Sequence, residues 1–220
     1  MPVPLSVPAR TAVLSGAAFA VVLGLVVAGW GPLVSFDRWT AAGLHHRALS
    51  DPGVTHAAGV LTDWVWDPTT MRLLTAACVV VLWLRGARLL AGWLVAATLV
   101  GWGLEQLVKS AVGRPRPHWQ HPVDSAHFAA FPSGHAMAAT IAVGLLLWAA
   151  HRQGLAGAWW AVALSVAVVS ALGVGLTRLW LGVHWASDVL GGWLLGVCVV
   201  ALSVVCSGAC SGRLALYRDQ

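Results

Sequence analysis

Three short stretches carry residue types that belong together chemically. KSAVGRPRP places Lys109 seven positions before Arg116, which is followed by Pro117; PSGH occupies 132–135; and TRLWLGVHWASD spaces Arg178, His184 and Asp188 as R-x5-H-x3-D. One lysine and two arginines brought together make a pocket for a multiply charged anion. Phosphate fits, because arginine forks match its oxygens and lysine adds a compact point charge. Ser133 and Gly134 stand just before an apolar run. At a helix N-terminus they offer free backbone N–H groups and the positive end of the dipole, and glycine lets a ligand approach closely. His135 then lies beside the bound group, placed to donate a proton. His184 and Asp188 are four apart and share a face if helical. A carboxylate on one imidazole nitrogen fixes the tautomer and leaves the other nitrogen free to attack phosphorus.

Each stretch alone has a plainer reading. Cations at a helix end snorkel to the membrane interface, and PSGH serves as a turn with Ser133 as N-cap. What favours chemistry is their convergence, since ionisable groups at membrane depth are costly and tend to be functional.

The depth follows from composition. Of 220 residues, 59% are hydrophobic and 10% charged, against roughly 25% charged in soluble domains. Mean hydropathy is +0.78. Six apolar runs, near 12–34, 69–85, 88–111, 132–150, 157–177 and 188–208, are of the length that spans a bilayer. The expected fold is an all-α bundle of six transmembrane helices forming one domain over 1–220. The segment 35–67 is too charged to span easily and is expected to form short interfacial helices. The first run is too long for a signal-peptide core and reads as a retained span. Trp30, Trp64, Trp66, Trp119, Trp180 and Trp185 lie near run ends, as in an interfacial aromatic belt. Cys78, Cys198, Cys206 and Cys210 form no Cys-x-x-Cys pair and read as small buried hydrophobes. The net charge of +5 comes with no nucleic-acid motif and reflects loop topology.

Six spans put both termini on one side, with Arg10, Arg85, Arg88, Arg152, Arg213, Arg218 and the acid Asp219. The other side carries Arg38, Arg47, Arg72, Lys109, Arg114, Arg116 and Arg178. All three chemical stretches fall on that second face.

K-x6-RP, PSGH and R-x5-H-x3-D, in this order on one face, resemble the type 2 phosphatidic acid phosphatase (PAP2, lipid phosphate phosphatase) superfamily. The resemblance implies a metal-independent, cofactor-free phosphatase acting on a membrane lipid phosphate through a phosphohistidine. It implies His184 as nucleophile, Asp188 as its partner, His135 as acid, and Lys109, Arg116, Ser133, Gly134 and Arg178 as phosphate binders. The third motif usually opens with Ser, where Thr177 stands here; a hydroxyl is kept. The family also implies a catalytic face outside the cytoplasm. With Lys109, Arg116 and Arg178 assigned to the site, six inside cations face four outside, which agrees with the positive-inside rule. A polyprenyl diphosphate is the favoured substrate, with phosphatidic acid or phosphatidylglycerol phosphate next.

A transporter for anionic lipid would use the same cations, but it needs no His–Asp pair. A vanadate haloperoxidase-like site fits the motifs but not the membrane runs, and a dead scaffold would not keep every motif residue. Glu105, one turn before Lys109, is a candidate partner for it. His118, His121 and His127 lack the carboxylates or thiolates that would complete a metal site and are expected, with Trp119 and Phe128, to shape the substrate entrance.

Overall fold

The computed structural model describes the backbone of residues 5–218 and side chains up to residue 210. Of the terminal-side charge count, Asp219 lies outside the described residues, and the side chains of Arg213 and Arg218 lie outside those described. Every regular element among the described residues is helical: α1 (Val7–Val27), α2 (Gly31–Ser50), α3 (Pro52–Val60), a π-helical turn (Leu61–Val65), α4 (Pro68–Leu84), α5 (Arg88–Val112), α6 (Gly134–Arg152), α7 (Gly157–Trp180) and α8 (Ala186–Arg218). Six stretches are long and apolar enough to cross a membrane, and the second of them runs from α3 through α4, Pro52–Leu84. This is a multi-pass membrane protein.

Local chemistry sets the boundaries. Pro68 opens α4, and the Asp67 carboxylate caps it by accepting from Thr69 N at 2.7 Å. Asp51 caps α3 in the same way, accepting from Val54 N at 3.0 Å. Gly113, at φ 58°, ends α5 in the left-handed conformation and sets Lys109 in its last turn.

The first apolar run divides at Gly29 and Trp30, so the spanning helix ends at Val27 and α2 begins at Gly31. The 35–67 segment therefore contains more than short helices. α2 is 20 residues long and buries Asp37, Ala41, His45 and Ala48, and its polar residues face protein as well as water. The Thr55 hydroxyl donates to Ala48 O at 2.7 Å and folds α3 back on α2.

α6 is the centre of the bundle, touching α4, α5, α7 and α8. Small residues let α8 come close. A Cβ at Gly192 would lie 2.7 Å from Ser133 O, and one at Gly196 would lie 2.9 Å from Thr140 Cβ. This is small-xxx-small packing of the kind that brings membrane helices together. α1 packs along α8, with Cys198 Sγ near Ala12 O at 3.5 Å. Cys206 and Cys210 are exposed, not buried as expected. Several tryptophans of the expected belt are tied into protein. Trp180 Nε1 donates to Thr55 Oγ1 at 3.0 Å, Trp185 Nε1 to Pro115 O at 2.9 Å, and Trp66 packs against Gly173, while Trp30 and Trp64 are exposed.

α7 meets α8 through Trp193, whose indole donates to Ala171 O at 2.7 Å. A Cβ on Gly175 would overlap the Trp193 ring and Val189. Gly175→Ala should therefore cost about 1–3 kcal/mol through overpacking, read as a lower thermal unfolding midpoint in detergent. Gly103→Ala, at a helical position with nothing within 4 Å, is the control and should leave the midpoint unchanged or raise it. Equal midpoints for the two variants would show that the α7–α8 crossing is not close-packed.

Candidate active site

One end of the bundle gathers the C-termini of α5 and α7, the N-termini of α6 and α8, and the 113–133 loop. Lys109 sits in the last turn of α5, Ser133 caps α6, Arg178 sits in the last turn of α7, and Asp188 lies in the first turn of α8. Ser133 N donates to Asp188 O at 2.9 Å, joining the starts of α6 and α8 directly.

His184 is 1% exposed. Its Nδ1 faces Asp188 Oδ2 at 3.3 Å, and its Nε2 is 3.0 Å from Arg116 Nη1. Arginine can only donate, so Nε2 is the acceptor and the ring proton sits on Nδ1, toward the carboxylate. The sequence reading left this second nitrogen free; the structure instead holds it against a guanidinium. Burial first, and then Arg116, Arg178 and Lys109, push the His184 pKa well below its ordinary 6.5, so the imidazole is neutral at pH 7.

Arg116 is held by backbone. Nε donates to Phe128 O at 3.0 Å, Nη1 to Val183 O at 2.7 Å and Nη2 to His127 O at 3.1 Å. Among the described residues no carboxylate pairs with it. Burial, followed by the repulsion of Arg178, lowers its pKa to about 10, so it stays charged near neutrality.

Lys109 Nζ pairs with Glu105 Oε1 at 2.7 Å, the partnership expected from their spacing. Gly134 leaves room for that pair, since a Cβ there would strike the Glu105 carboxylate and come within 3.0 Å of Lys109 Nζ. Ser133 Oγ accepts from Ala136 N at a long 3.5 Å. Arg178 is buried; its Nη1 lies 3.4 Å from Asp124 Oδ2, and its Nε has no partner. The charged and titratable groups that bear on His135 are Arg178, His184, Lys109 and Arg116. All eight sequence-predicted site residues thus meet at this end of the bundle.

The structure adds residues that sequence reading missed. Arg114, counted above among ordinary loop charges, bridges Asp37 and Asp188 at 2.7 and 2.5 Å. Asp124 reaches Arg178 from the loop. Thr177 Oγ1, at the departure from the family pattern, donates to Val174 O at 2.9 Å and lies 3.3 Å from Thr62 Oγ1 of the π-helical turn. The loop's two aromatic residues differ in setting. Trp119 stacks on His45 with ring centroids 4.1 Å apart and donates to Gly182 O at 2.8 Å, while Phe128 is 89% exposed. A groove of about 590 Å³ opens between α2, α3, the π-helical turn and Asp124.

Residues 90–211, more than half of the 220, match the model of the PAP2 superfamily. The chain belongs to this family. It is similar to the phosphatidylglycerophosphatase B of Bacillus subtilis, 34% identical over 96 residues that make up 43% of this chain and 46% of that protein. It is similar to an undecaprenyl-diphosphatase of Sulfolobus acidocaldarius, 39% identical over 75 residues, 34% of this chain and 32% of that one. A lipid A 1-phosphatase of Rhizobium johnstonii is 29% identical over 127 residues, 53% of this chain and 47% of its own. Each match spans less than half the length of the relative. A PAP2-type phosphatidylglycerolphosphate phosphatase of Bacillus subtilis shares the fold, with a TM-score of 0.68 at 20% identity over 88% of this chain and 94% of that one.

The His45–Trp119 stack ties the 113–133 loop to α2 and, through Gly182, to the turn that holds His184. Trp119→Ala should cost roughly 2 kcal/mol, below the ~3–5 kcal/mol of a fully buried tryptophan. It should also speed proteolytic cleavage between residues 113 and 133. An unchanged cleavage rate would mean that other contacts hold the loop.

Proposed function

We propose that this PAP2 protein is a lipid phosphate phosphatase working through a phosphohistidine. The observation that carries the reading is the His184 ring itself: neutral, buried, with Nδ1–H toward Asp188 and its Nε2 lone pair against a guanidinium that has no carboxylate partner among the described residues. A phosphate bound at Arg116 brings phosphorus to the nitrogen that must attack it.

In the proposed reaction the Nε2–P bond forms as the bond from phosphorus to the lipid oxygen breaks. His135 passes its proton to that leaving oxygen, and the phosphorylated imidazole becomes cationic opposite Asp188. Water then attacks phosphorus, the Nε2–P bond breaks, and the proton lost by water returns to His135. Lys109, Arg116, Arg178 and the Ser133–Gly134 amides hold the equatorial oxygens. Support for Arg178 comes from its buried, unpartnered Nε, and for Gly134 from the space it keeps beside Lys109.

The substrate is proposed to be a membrane lipid phosphomonoester or diphosphate, with polyprenyl diphosphate favoured and phosphatidylglycerol phosphate or phosphatidic acid next. Relatives named for an undecaprenyl diphosphate and for a phosphatidylglycerophosphate support this class. The site is proposed to face outside the cytoplasm. Arg114 is bound in the carboxylate network, so the ordinary cations on that face reduce to Arg38, Arg47 and Arg72, which strengthens the positive-inside argument.

The test is phosphate release from these lipids by the detergent-purified chain in the presence of EDTA. Release should resist EDTA and fall at least about 10³-fold in His184→Ala; release that survives the substitution overturns the reading. The nucleophile must be neutral, so activity is lost as falling pH protonates His184. Because its pKa lies below 6.5, the acid limb of kcat/KM should also lie below 6.5. An acid limb at or above 6.5 would contradict the buried, cation-flanked setting.

A further inference from the structure

Behind His184 the charge network runs past the motif residues. Asp188 Oδ2 faces His184 Nδ1 and accepts from Trp185 N at 2.9 Å, while its Oδ1 accepts from Arg114 Nη1 at 2.5 Å. Arg114 Nη2 donates to Asp37 Oδ2 at 2.7 Å. Asp37 also accepts from Ser187 N at 2.9 Å and from the Ser187 hydroxyl at 2.5 Å, and that hydroxyl accepts from Arg114 Nη1 at 2.7 Å. Asp37 and Asp188 are 1% and 0% exposed. Neither Asp37 nor Arg114 lies near His184 in sequence, and Asp37 comes from α2, outside the family-matched span.

Such a cluster could merely fasten α2 to α8. Its charge says more. Two carboxylates and one guanidinium sum to one negative charge, held where water does not screen it. The imidazole that faces this charge gains one positive charge when it attacks phosphorus.

We propose that Asp37 and Arg114 are positioning residues for His184, with Arg114 holding Asp188 Oδ1 so that Oδ2 stays turned to the ring and Asp37 supplying the negative charge that the phosphorylated imidazole needs. The inference rests on the phosphatase reading above. Arg114 forms the fork that a lysine cannot, since it bridges two carboxylates and a hydroxyl at once. The other groups facing His184 are Arg116 from the loop, Arg178 from α7 and Lys109 from α5, with His135 of α6 alongside.

The experiment compares Asp37→Asn, Arg114→Gln and Arg114→Lys in the full chain in detergent, with His184→Ala as reference. Each of the three should lower kcat by about 10–100-fold with KM within about threefold, because the phosphate cradle is intact. The acid limb of kcat/KM separates charge from fastening. Asp37→Asn makes the surroundings of His184 less negative and moves the limb to lower pH. Arg114→Gln makes them more negative and moves it to higher pH, while Arg114→Lys leaves it near the wild-type position. Protection from heat unfolding by orthovanadate checks that each variant still binds a phosphate mimic. Equal loss of activity at every pH with no movement of the limb would mean fastening alone and overturn the proposal. So would wild-type kcat in the variants while His184→Ala is inactive. Activity surviving in His184→Ala would instead overturn the phosphatase reading beneath it. If Asp37→Asn does not fold, the contrast between Arg114→Gln, which moves the limb, and Arg114→Lys, which does not, still decides.

Discussion

Asp188 carries its carboxylate where no solvent reaches it, and burying an ionised carboxylate costs several kcal/mol unless charge and hydrogen bonds compensate. That demand organises this end of the molecule. Trp185 N and the Arg114 guanidinium donate to it, His184 lies against its second oxygen, and its position in the first turn of α8 adds the favourable end of the helix dipole. Arg114 then needs a second carboxylate, supplied by Asp37, and Asp37 needs further donors, supplied by Ser187. One buried charge thus links α2, the 113–133 loop and the start of α8.

The bundle must hold these groups with little play, and the spans do so through small residues. Gly192 and Gly196 let α8 lie against the first turns of α6, where Ser133 and His135 stand. Ser133 N reaches Asp188 O, so the N-terminus proposed to bind phosphate and the carboxylate behind His184 move as one piece. In lipid, helix association relies on close packing more than on hydrophobic burial. Site geometry and bundle stability therefore rest on the same glycines.

The motif residues were legible in sequence because each sits at a helix end or in the short connection beside one, where spacing translates directly into position. Lys109 and Glu105 are a turn apart on α5, and Ser133 precedes an apolar run. The all-helical, six-span fold was equally legible from hydropathy. Arg114 and Asp37 were not, because their partners are 74 and 77 positions away and no periodicity connects them. Arg114 looked like a loop cation when counted for topology; only the fold shows a guanidinium shared by two buried acids. The length of α2 was hidden for a related reason. Its polar residues read as interfacial, whereas Asp37 and His45 are buried against other elements. Trp119 and Trp185 were read as belt residues, although each donates to a backbone carbonyl beside the site.

The same arrangement separates what the site does from what it selects. The groups argued to act on phosphorus lie at helix termini and in a backbone-held loop arginine, and all fall within the family-matched span. The groove beside them is walled by α2, α3 and the π-helical turn, with Asp63 and Asp124 in its lining, and most of that wall precedes residue 90. Arg178 stands between the two regions, inside the cradle yet paired with the loop carboxylate of Asp124. On the reading proposed above, a phosphate bound in the cradle would compete with Asp124 for Arg178, which would couple the loop that frames the groove to occupancy of the site. On that reading, the phosphate chemistry and the groove would be free to vary independently, because different elements carry them and Arg178 with Asp124 joins them.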